Sequence, residues 1–246
     1  SDHQPLNLDN PHSLQVDVTY SADRNDGVVN TGFFGMNLKK GLDYRLSLYA
    51  RAENFSGPLE VFLTDSNGRR VSTVMQITGM GSEWESFRGT LTAVENLDHG
   101  RLFFQPGSNG TFWLDVVSLF PGDTWDDGKS VFRADIMQNL KDYAPDFVRF
   151  PGGCLVHGVN IQTMYHWKET IGDIAERPGG WSKWSPNYRT DGLGYHEFYE
   201  LCEYLDADAM YVTPSGLVCS FWVYQKGESD EHHFPNVKAH EYVQDA

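Results

Sequence analysis

Cysteines and cations are scarce in this sequence. Its 246 residues include 3 cysteines, widely spaced and with no CxxC pair, so neither a disulfide framework nor a standard zinc site is predicted. Lysine and arginine number 19 against 34 aspartates and glutamates, giving a net charge of −15. That charge repels nucleic-acid phosphates and anionic lipid surfaces. No apolar run approaches the length of a membrane span. We therefore expect no nucleic-acid partner, no membrane association and no cofactor.

The sequence begins SDHQPLNL, with neither an initial methionine nor a signal peptide. We therefore expect it to be a processed or excised piece of a longer product. Aromatic residues are abundant, at 14% of the chain. A surplus of flat rings suits a binding surface, but larger cores would account for it equally well.

The first half of the chain, residues 1–122, has the pattern of an all-β domain. "SLQVDVTY" and "LDYRLSLYA" alternate apolar and polar residues, which is typical of strands with one buried face. Turn signals such as Asp26-Gly27 and Lys40-Gly41 recur at short intervals, and "EWESFRGTLT", "RLFFQP" and "TFWLDVVSLFP" continue the strand pattern. This half is predicted to be a β-sandwich, a jelly roll.

The period changes in the second half, residues 123–246. "SVFRADIMQNLKDYAP" predicts a helix with Ser130 as N-cap, and "DFVRF" predicts a short strand. "GYHEFYELCEYL" predicts a second helix, "AMYVTPSG" a buried strand, and "NVKAHEYVQDA" the start of a further helix. Alternating helices and strands indicate a parallel sheet or barrel, too short here to close eight strands. The predicted fold is therefore a β-sandwich (jelly roll) followed by part of a (β/α)8 barrel.

Three motifs carry a resemblance to a known family. "FVRFPGGC", then "YHWKETIGDIAERPGGW", then "DGLGYHEFYELCE" resemble successive blocks of the α-L-arabinofuranosidases of glycoside hydrolase family 51. The preceding half is similar to the carbohydrate-binding-module-like jelly roll of many members. The resemblance implies a barrel enzyme that removes terminal arabinofuranosyl groups from hemicellulose or pectin side chains with retention of configuration.

Retaining hydrolysis needs two carboxyl groups, one as acid and base and one as nucleophile. In the family both are Glu on later barrel strands, and the acid/base lies in an Asn-Glu pair. This sequence has no Asn-Glu dipeptide. The strand expected upstream of the jelly roll, with a substrate-contacting Glu, is also missing. We therefore expect a fragment without its catalytic pair, inactive alone and with no catalytic residue of its own.

The resemblance implies supporting and substrate-binding roles for residues in these motifs. Arg149 would hold the nucleophile ionised and oriented, although a buried ion pair unrelated to catalysis is the alternative. Gly152 and Gly153 would form a tight turn beside the sugar. Cys154 would contact the sugar or simply pack, and it lacks a base to act as nucleophile. Trp167 would stack on the sugar, unless it only anchors its loop.

Other candidates have simpler explanations. Glu197, beside His196, suits a helix N-terminus, and Glu169 and Glu176 are expected to be solvated unless paired with Lys168 or Arg177. The histidines at 232, 233 and 240 match no metal-ligand spacing. Trp181, Trp184 and Trp222 are predicted to be rim or packing residues. The sequence departs from the family at His157 and in "TPSGLVCSFW".

The sandwich offers weaker candidates for ligand binding. A sugar-binding face and core packing are both open for five aromatic residues: Phe33, Phe34, Trp84, Phe104 and Trp113. Asp115 and neighbouring acids are weak candidates for a structural calcium site, and no metal is assigned.

Three hypotheses follow. The leading one is part of an α-L-arabinofuranosidase, acting on arabinose-containing polysaccharides or oligosaccharides and secreted or periplasmic. The second is a non-catalytic carbohydrate-binding protein in which the sandwich binds glycan. The third is an interaction role, in which the incomplete barrel drives self-association through its unpaired strand edges.

Overall fold

A computed structural model describes residues 3–8, 10–21, 26–158, 163–181 and 188–214, with only the backbone of Trp181. The chain divides into two compact units, residues 1–137 and 138–246. The domain boundary predicted between residues 122 and 123 stays a prediction. Within the described ranges, no helix has the length and apolar character needed to cross a membrane.

The first unit is built from antiparallel strands. They are β1 Leu14–Val18, β2 Val28–Asn30, β3 Met36–Leu38, β4 Asp43–Glu53, β5 Leu59–Thr64, β6 Met75–Ile77, β7 Glu85–Thr92, β8 Leu97–Pro106 and β9 Gly110–Pro121. One sheet has the order β1-β9-β4-β7, and the other has the order β2-β8-β5-β6 with β3 also paired to β8. The predicted β-sandwich is therefore confirmed.

Alternation along β4 places its even-numbered side chains in the core. Tyr44, Leu46, Leu48 and Ala50 are all buried, because successive residues of a strand point to opposite faces. They pack with apolar residues of the second sheet, such as Val61, in one cluster. Burying a leucine of this kind contributes roughly 1.5–3 kcal/mol, and this cluster therefore holds the two sheets together.

Helix α1 covers Ala134–Tyr143 and starts later than the sequence predicts. Ser130 is not its N-cap, because the Ser130 hydroxyl accepts a hydrogen bond from the Phe132 N–H at 3.2 Å in the preceding turn. Serine side chains compete with helix formation through such local bonds. Met137 is the buried residue of the helix, whereas the apolar residues Val131 and Ile136 are exposed.

The second unit contains a parallel strand pair and a covering helix. Its elements are β10 Phe147–Phe150, α2 Cys154–His157, two 3₁₀ turns at Trp167–Thr170 and Ile174–Glu176, β11 Gly180–Trp181, β12 Tyr188–Arg189, α3 Tyr195–Leu205 and β13 Asp208–Tyr211. Strands β10 and β13 pair in parallel, and β11 and β12 pair antiparallel. This β10-α3-β13 order is the repeating unit of α/β barrels.

Helix α3 packs against one face of the parallel pair. Its residues Tyr195, Phe198 and Cys202 are buried in a cluster against Val148 and Phe150 of β10. The spacing of three and four residues puts these helical side chains on one stripe. The predicted strand at "AMYVTPSG" is confirmed as β13, but it is not buried along its length. The helix predicted at "NVKAHEYVQDA" lies outside the described residues.

Candidate active site

Arg149 lies on the face of the parallel strand pair that points away from helix α3. Val148 and Phe150 pack against that helix, so the alternating residues Phe147 and Arg149 point to the other side. Met210 is the register partner of Arg149 on β13. In an α/β barrel the face away from the helices is the interior. The Arg149 side chain is exposed within the described part of the chain.

The turn after β10 fits the Arg149 guanidinium closely. Phe150-Pro151 is a cis peptide, and Gly152 and Gly153 follow with positive φ angles of 79° and 59°. A Cβ added to Gly152 would lie 2.7 Å from Arg149 Cζ and 2.8 Å from its Nη1. Glycine is favoured at 152 by its backbone conformation, and in the observed rotamer the Arg149 guanidinium occupies the place where a Cβ would lie.

Cys154 opens the short helix α2 directly after this turn and is half-buried. Val156 anchors α2 in the interior. Gly158, with a φ of 62°, ends the helix and donates its N–H to the Cys154 carbonyl. Arg149, Gly152, Gly153 and Cys154 are thus consecutive parts of one strand–turn–helix segment. Their assignment to a sugar site stays a prediction.

Trp167 lies on the helix side of the sheet. Its ring centroid is 5.7 Å from that of Tyr195 at the start of α3, and it packs on the α3 cluster. The structure therefore groups Trp167 with α3, whereas the register of β10 points Arg149 to the opposite face. A role for Trp167 as anchor of its loop is visible in these contacts, and a role in sugar stacking stays a prediction.

An aromatic pocket of about 370 Å³ lies beside Trp167. It is lined by Trp167, Ile171, Tyr195, His196, Tyr199, Tyr211 and Thr213. Burial raises the pKa of Tyr195, which donates its hydroxyl to the Val212 carbonyl at 2.6 Å. The pocket presents several ring faces and few charges, a surface suited to the C–H faces of a neutral sugar.

A buried ion pair holds the Trp167 loop to α3. Arg177 Nη1 and Nη2 donate to Glu197 Oε2 and Oε1 at 3.0 and 2.8 Å, with the two side chains 4% and 10% exposed. Arg177 also donates to the carbonyls of Gly172 and Asp191. Burial opposes the ionisation of Glu197, but hydrogen bonds from Arg177 and the Gly194 N–H outweigh it, so its pKa is lowered. The pair is a structural clamp for the loop.

This ion pair corrects one of the sequence expectations. Arg177 pairs with Glu197, not with Glu169 or Glu176, and both of those glutamates are exposed as expected. Glu197 does lie at a helix N-terminus, where it accepts the Gly194 N–H at 2.8 Å. Its position there is therefore explained by the helix and by Arg177 together.

A second polar cluster, formed by Tyr165, Arg189 and Asp191, is not predicted from the sequence. Burial raises the pKa of Asp191, against the opposing effect of Arg189, whose Nε is 3.5 Å from Asp191 Oδ1. The Tyr165 hydroxyl is buried close by and has no hydrogen-bond partner among the described residues. Arg189 Cζ lies 5.6 Å from the Tyr165 ring centroid. Arg189 and Asp191 are close in the sequence, but no local pattern places them beside Tyr165.

The five aromatic candidates of the sandwich do not form one surface. Phe104 and Trp113 are buried, and Trp84 is half-buried. Phe33 and Phe34 are 75% and 81% exposed and contact each other edge to face, with centroids 4.5 Å apart. Phe104 belongs to the hydrophobic core, whereas the buried Trp113 stacks against the Arg51 guanidinium, whose Cζ is 3.7 Å from the ring centroid. Of the five candidates, the adjacent Phe33 and Phe34 are the exposed ones.

Several other candidates have a defined outcome. Burial raises the pKa of Asp115, and no group of three His, Cys, Asp or Glu side chains in the described residues is placed to hold a metal. A few of the sequence candidates fall outside the described residues: Trp184, Trp222, His232, His233, His240 and the side chain of Trp181.

Comparisons with known proteins point to one family. Residues 139–246 match the family model "Alpha-L-arabinofuranosidase 1 domain". Alpha-L-arabinofuranosidase 1 of Arabidopsis thaliana is 36% identical over 194 residues, which are 78% of this chain and 28% of that protein. The extracellular exo-alpha-L-arabinofuranosidase of Streptomyces chartreusis is 34% identical over 200 residues, which are 76% of this chain and 24% of that protein.

A solved structure agrees over both units. The arabinose-bound MgGH51 α-L-arabinofuranosidase matches 89% of this chain with a TM-score of 0.81 and 29% identity. The match covers 36% of that structure's chain, so this chain spans about a quarter to a third of the relatives it matches. The predicted fold class, a jelly-roll β-sandwich followed by part of a (β/α)8 barrel, is confirmed.

Proposed function

This chain is related to the α-L-arabinofuranosidases of glycoside hydrolase family 51, and we propose that it serves in removing terminal α-L-arabinofuranosyl groups from hemicellulose or pectin side chains. The reaction is proposed to proceed with retention of configuration. We further propose a secreted or periplasmic location, because the Streptomyces chartreusis relative is named an extracellular enzyme.

The placement of Arg149 is the observation that supports this proposal most. The guanidinium lies on the helix-free face of a parallel strand, directly before the turn at Gly152. Catalytic groups of α/β barrels lie at the carboxyl ends of the strands, on the inner side. A guanidinium there would lower the pKa of an adjacent nucleophilic carboxylate and orient it through charge-assisted hydrogen bonds.

The neighbouring residues are proposed to contact the substrate. Gly152 and Gly153 would leave room for the sugar beside the strand end, and Cys154 would line the same turn. A substrate contact for Trp167 is proposed from the family motif alone, because Trp167 packs on the α3 side of the sheet and lines the aromatic pocket there. These roles rest on the family motif and on the closeness of Gly152 to Arg149.

Retaining hydrolysis requires a pair of carboxyl groups that is not assigned within this chain. Glu197 is committed to Arg177 in the interior, and Glu169 and Glu176 are exposed loop residues. The sequence also has no Asn-Glu dipeptide. We therefore propose that the chain by itself contributes substrate contacts without turnover.

An assay on the 246-residue chain tests the proposal. With 4-nitrophenyl α-L-arabinofuranoside we expect no turnover, while arabino-oligosaccharide binding should be measurable by calorimetry. Arg149→Ala should weaken that binding about tenfold, the loss of one charge-assisted hydrogen bond. Arg133→Ala is the matched control, since Arg133 is an exposed arginine paired with Asp135. Turnover that survives Arg149→Ala, or equal binding by both variants, would contradict the site assignment.

A non-catalytic carbohydrate-binding role is the second candidate, favoured by the exposed pair Phe33 and Phe34. Adjacent exposed rings can stack on sugar faces and bury apolar area. In this case Phe34→Ala should abolish arabinoxylan binding, and Arg149→Ala should leave it unchanged. The reverse result would favour the barrel site.

Self-association through the parallel strand pair is proposed as well. Phe147 and Met210 are exposed on the helix-free face of β10 and β13. The outer edges of these two strands, unpaired within the described residues, would pair with another copy, and the exposed apolar side chains beside the edges would then be covered. Sedimentation velocity should show a concentration-dependent dimer that Met210→Lys weakens. A monomer at all concentrations would exclude this contact.

A further inference from the structure

A groove of about 500 Å³ crosses the outer face of the sandwich sheet formed by β1, β9, β4 and β7. Strand register brings its floor together, because Arg45 is opposite Thr90 and Phe120, and Ser47 is opposite Arg88. Lys129, from the segment that follows β9, forms part of the wall. The groove lies wholly within the first unit, and its residues take no part in the site described above.

The charge of this groove is opposite to that of the chain. Arg45, Arg88 and Lys129 line it, and none of its lining residues, all of them in the described ranges, is acidic. The whole chain carries 34 acidic and 19 basic residues. Arg45, Arg88 and Lys129 together give the groove a local positive charge, which suits an anion.

The cations are held differently. The Arg45 guanidinium donates to the Gly128 carbonyl and lies 3.4 Å from Thr124 Oγ1, which ties the wall to the sheet. Lys129 Nζ is 3.5 Å from Asp126 Oδ1, both side chains being largely exposed. Arg88 is exposed and has no hydrogen bond or ion pair to the described chain. Arg88 is therefore the cation most available to a ligand.

The wall of the groove is fixed before any ligand arrives. The Gly128 N–H donates to the Thr124 carbonyl at 3.0 Å, and the Ser130 N–H donates to the Trp125 carbonyl at 3.2 Å. Gly128 has a φ of 83°, and a Cβ there would lie 2.5 Å from the Gly122 carbonyl oxygen. A preformed wall lowers the ordering cost of binding.

We propose that this groove binds the carboxylate of a uronic acid residue within a glycan. Arg88 and Lys129 supply charge-assisted hydrogen bonds to the carboxylate. The hydroxyls of Ser47 and Thr90 match sugar hydroxyls, and the half-buried Phe120 ring offers a face for sugar C–H groups. The proposal rests on the proposed function, and it specifies an acidic polymer as the carrier of the arabinose side chains.

Calorimetry on the 246-residue chain tests this assignment with three probes. Tetragalacturonate should bind, and its affinity should fall steeply between 0.05 and 0.5 M NaCl, because the Debye length shortens about threefold over that range. Neutral xylotetraose should not compete for the groove, and inorganic phosphate should compete only weakly. Arg88→Gln should weaken tetragalacturonate binding about tenfold through loss of a charge-assisted bond. Lys129→Gln should weaken it as well.

Arg101→Gln is the matched control, because Arg101 is a strand residue of the opposite sheet and the change in net charge is the same. Equal weakening by Arg88→Gln and Arg101→Gln would overturn the proposal in favour of a general charge effect. Phosphate binding as tight as tetragalacturonate would reduce the groove to a simple anion site and also overturn it. If the unaltered chain binds arabino-oligosaccharides but not tetragalacturonate, the groove assignment is refuted and the proposed function is left standing.

Discussion

Removing the charge of Glu197 tests the role of the buried ion pair. In Glu197→Gln the side chain keeps its size, but Arg177 stays charged in a site where both side chains are at most 10% exposed. In the unaltered chain the Glu197 carboxylate accepts hydrogen bonds at 2.8 and 3.0 Å from Arg177 and at 2.8 Å from the Gly194 N–H. Removing one partner of a buried ion pair costs about 3–5 kcal/mol in the free energy of unfolding. The Gln amide oxygen still accepts a hydrogen bond, so we expect a loss at the lower end, about 3 kcal/mol.

Hydrogen exchange measured by mass spectrometry reports the loss of stability in helix α3 itself. Amides of Tyr195–Leu205 should exchange over roughly a hundredfold faster in Glu197→Gln, since each 1.4 kcal/mol is a factor of ten. Glu200→Gln is the control on the same helix, because Glu200 is exposed and 3.7 Å from His196. Its cost should stay below about 0.5 kcal/mol. A loss below about 1 kcal/mol in Glu197→Gln would refute the reasoning.

Three further outcomes follow from the structure. Leu46→Ala should cost about 2–5 kcal/mol in urea unfolding because it opens a cavity in the sandwich core, whereas Leu14→Ala, at an exposed site, should cost far less. Gly194→Ala should lower the thermal midpoint of the second unit, since the new Cβ would lie 2.0 Å from the Thr170 carbonyl oxygen. Because the pKa of Glu197 is lower in the folded chain than its ordinary value of 4.5, the ionised carboxylate stabilises the fold at pH values above 4.5. This contribution is lost as the pH falls through the lowered pKa. A pH series of unfolding midpoints should be flatter in Glu197→Gln, and an unchanged slope would contradict the assignment.

The sandwich could be predicted from the sequence because its signal is local. The alternation from Tyr44 to Ala50 requires only that one face of a strand be buried, and the structure buries those residues. The predicted start of α1 is wrong for an equally local reason, because the Ser130 hydroxyl accepts a hydrogen bond within the preceding turn and does not cap the helix. Both outcomes depended on contacts within a few residues, where several arrangements compete.

The polar contacts of the site could not be predicted in this way. Arg177 and Glu197 are separated by a loop whose path no pattern specifies, and their spacing fits neither a helix nor a strand. The basic groove needs Arg45, Arg88 and Lys129, which come from three separate segments joined only by sheet register and by one turn. Such juxtapositions depend on the tertiary structure, and the sequence shows only the residue types.

Arg149 interrupts the apolar sequence of strand β10, where a cation is unusual. Strand geometry accounts for its position. Val148 and Phe150 pack against helix α3, so the residue between them points to the opposite face of the sheet. That face is exposed in the described chain, and no buried counter-ion is needed there. In the observed rotamer the guanidinium packs against the turn at Gly152, which has no side chain to contact it. At position 152 the φ of 79° by itself disfavours any residue that carries a side chain.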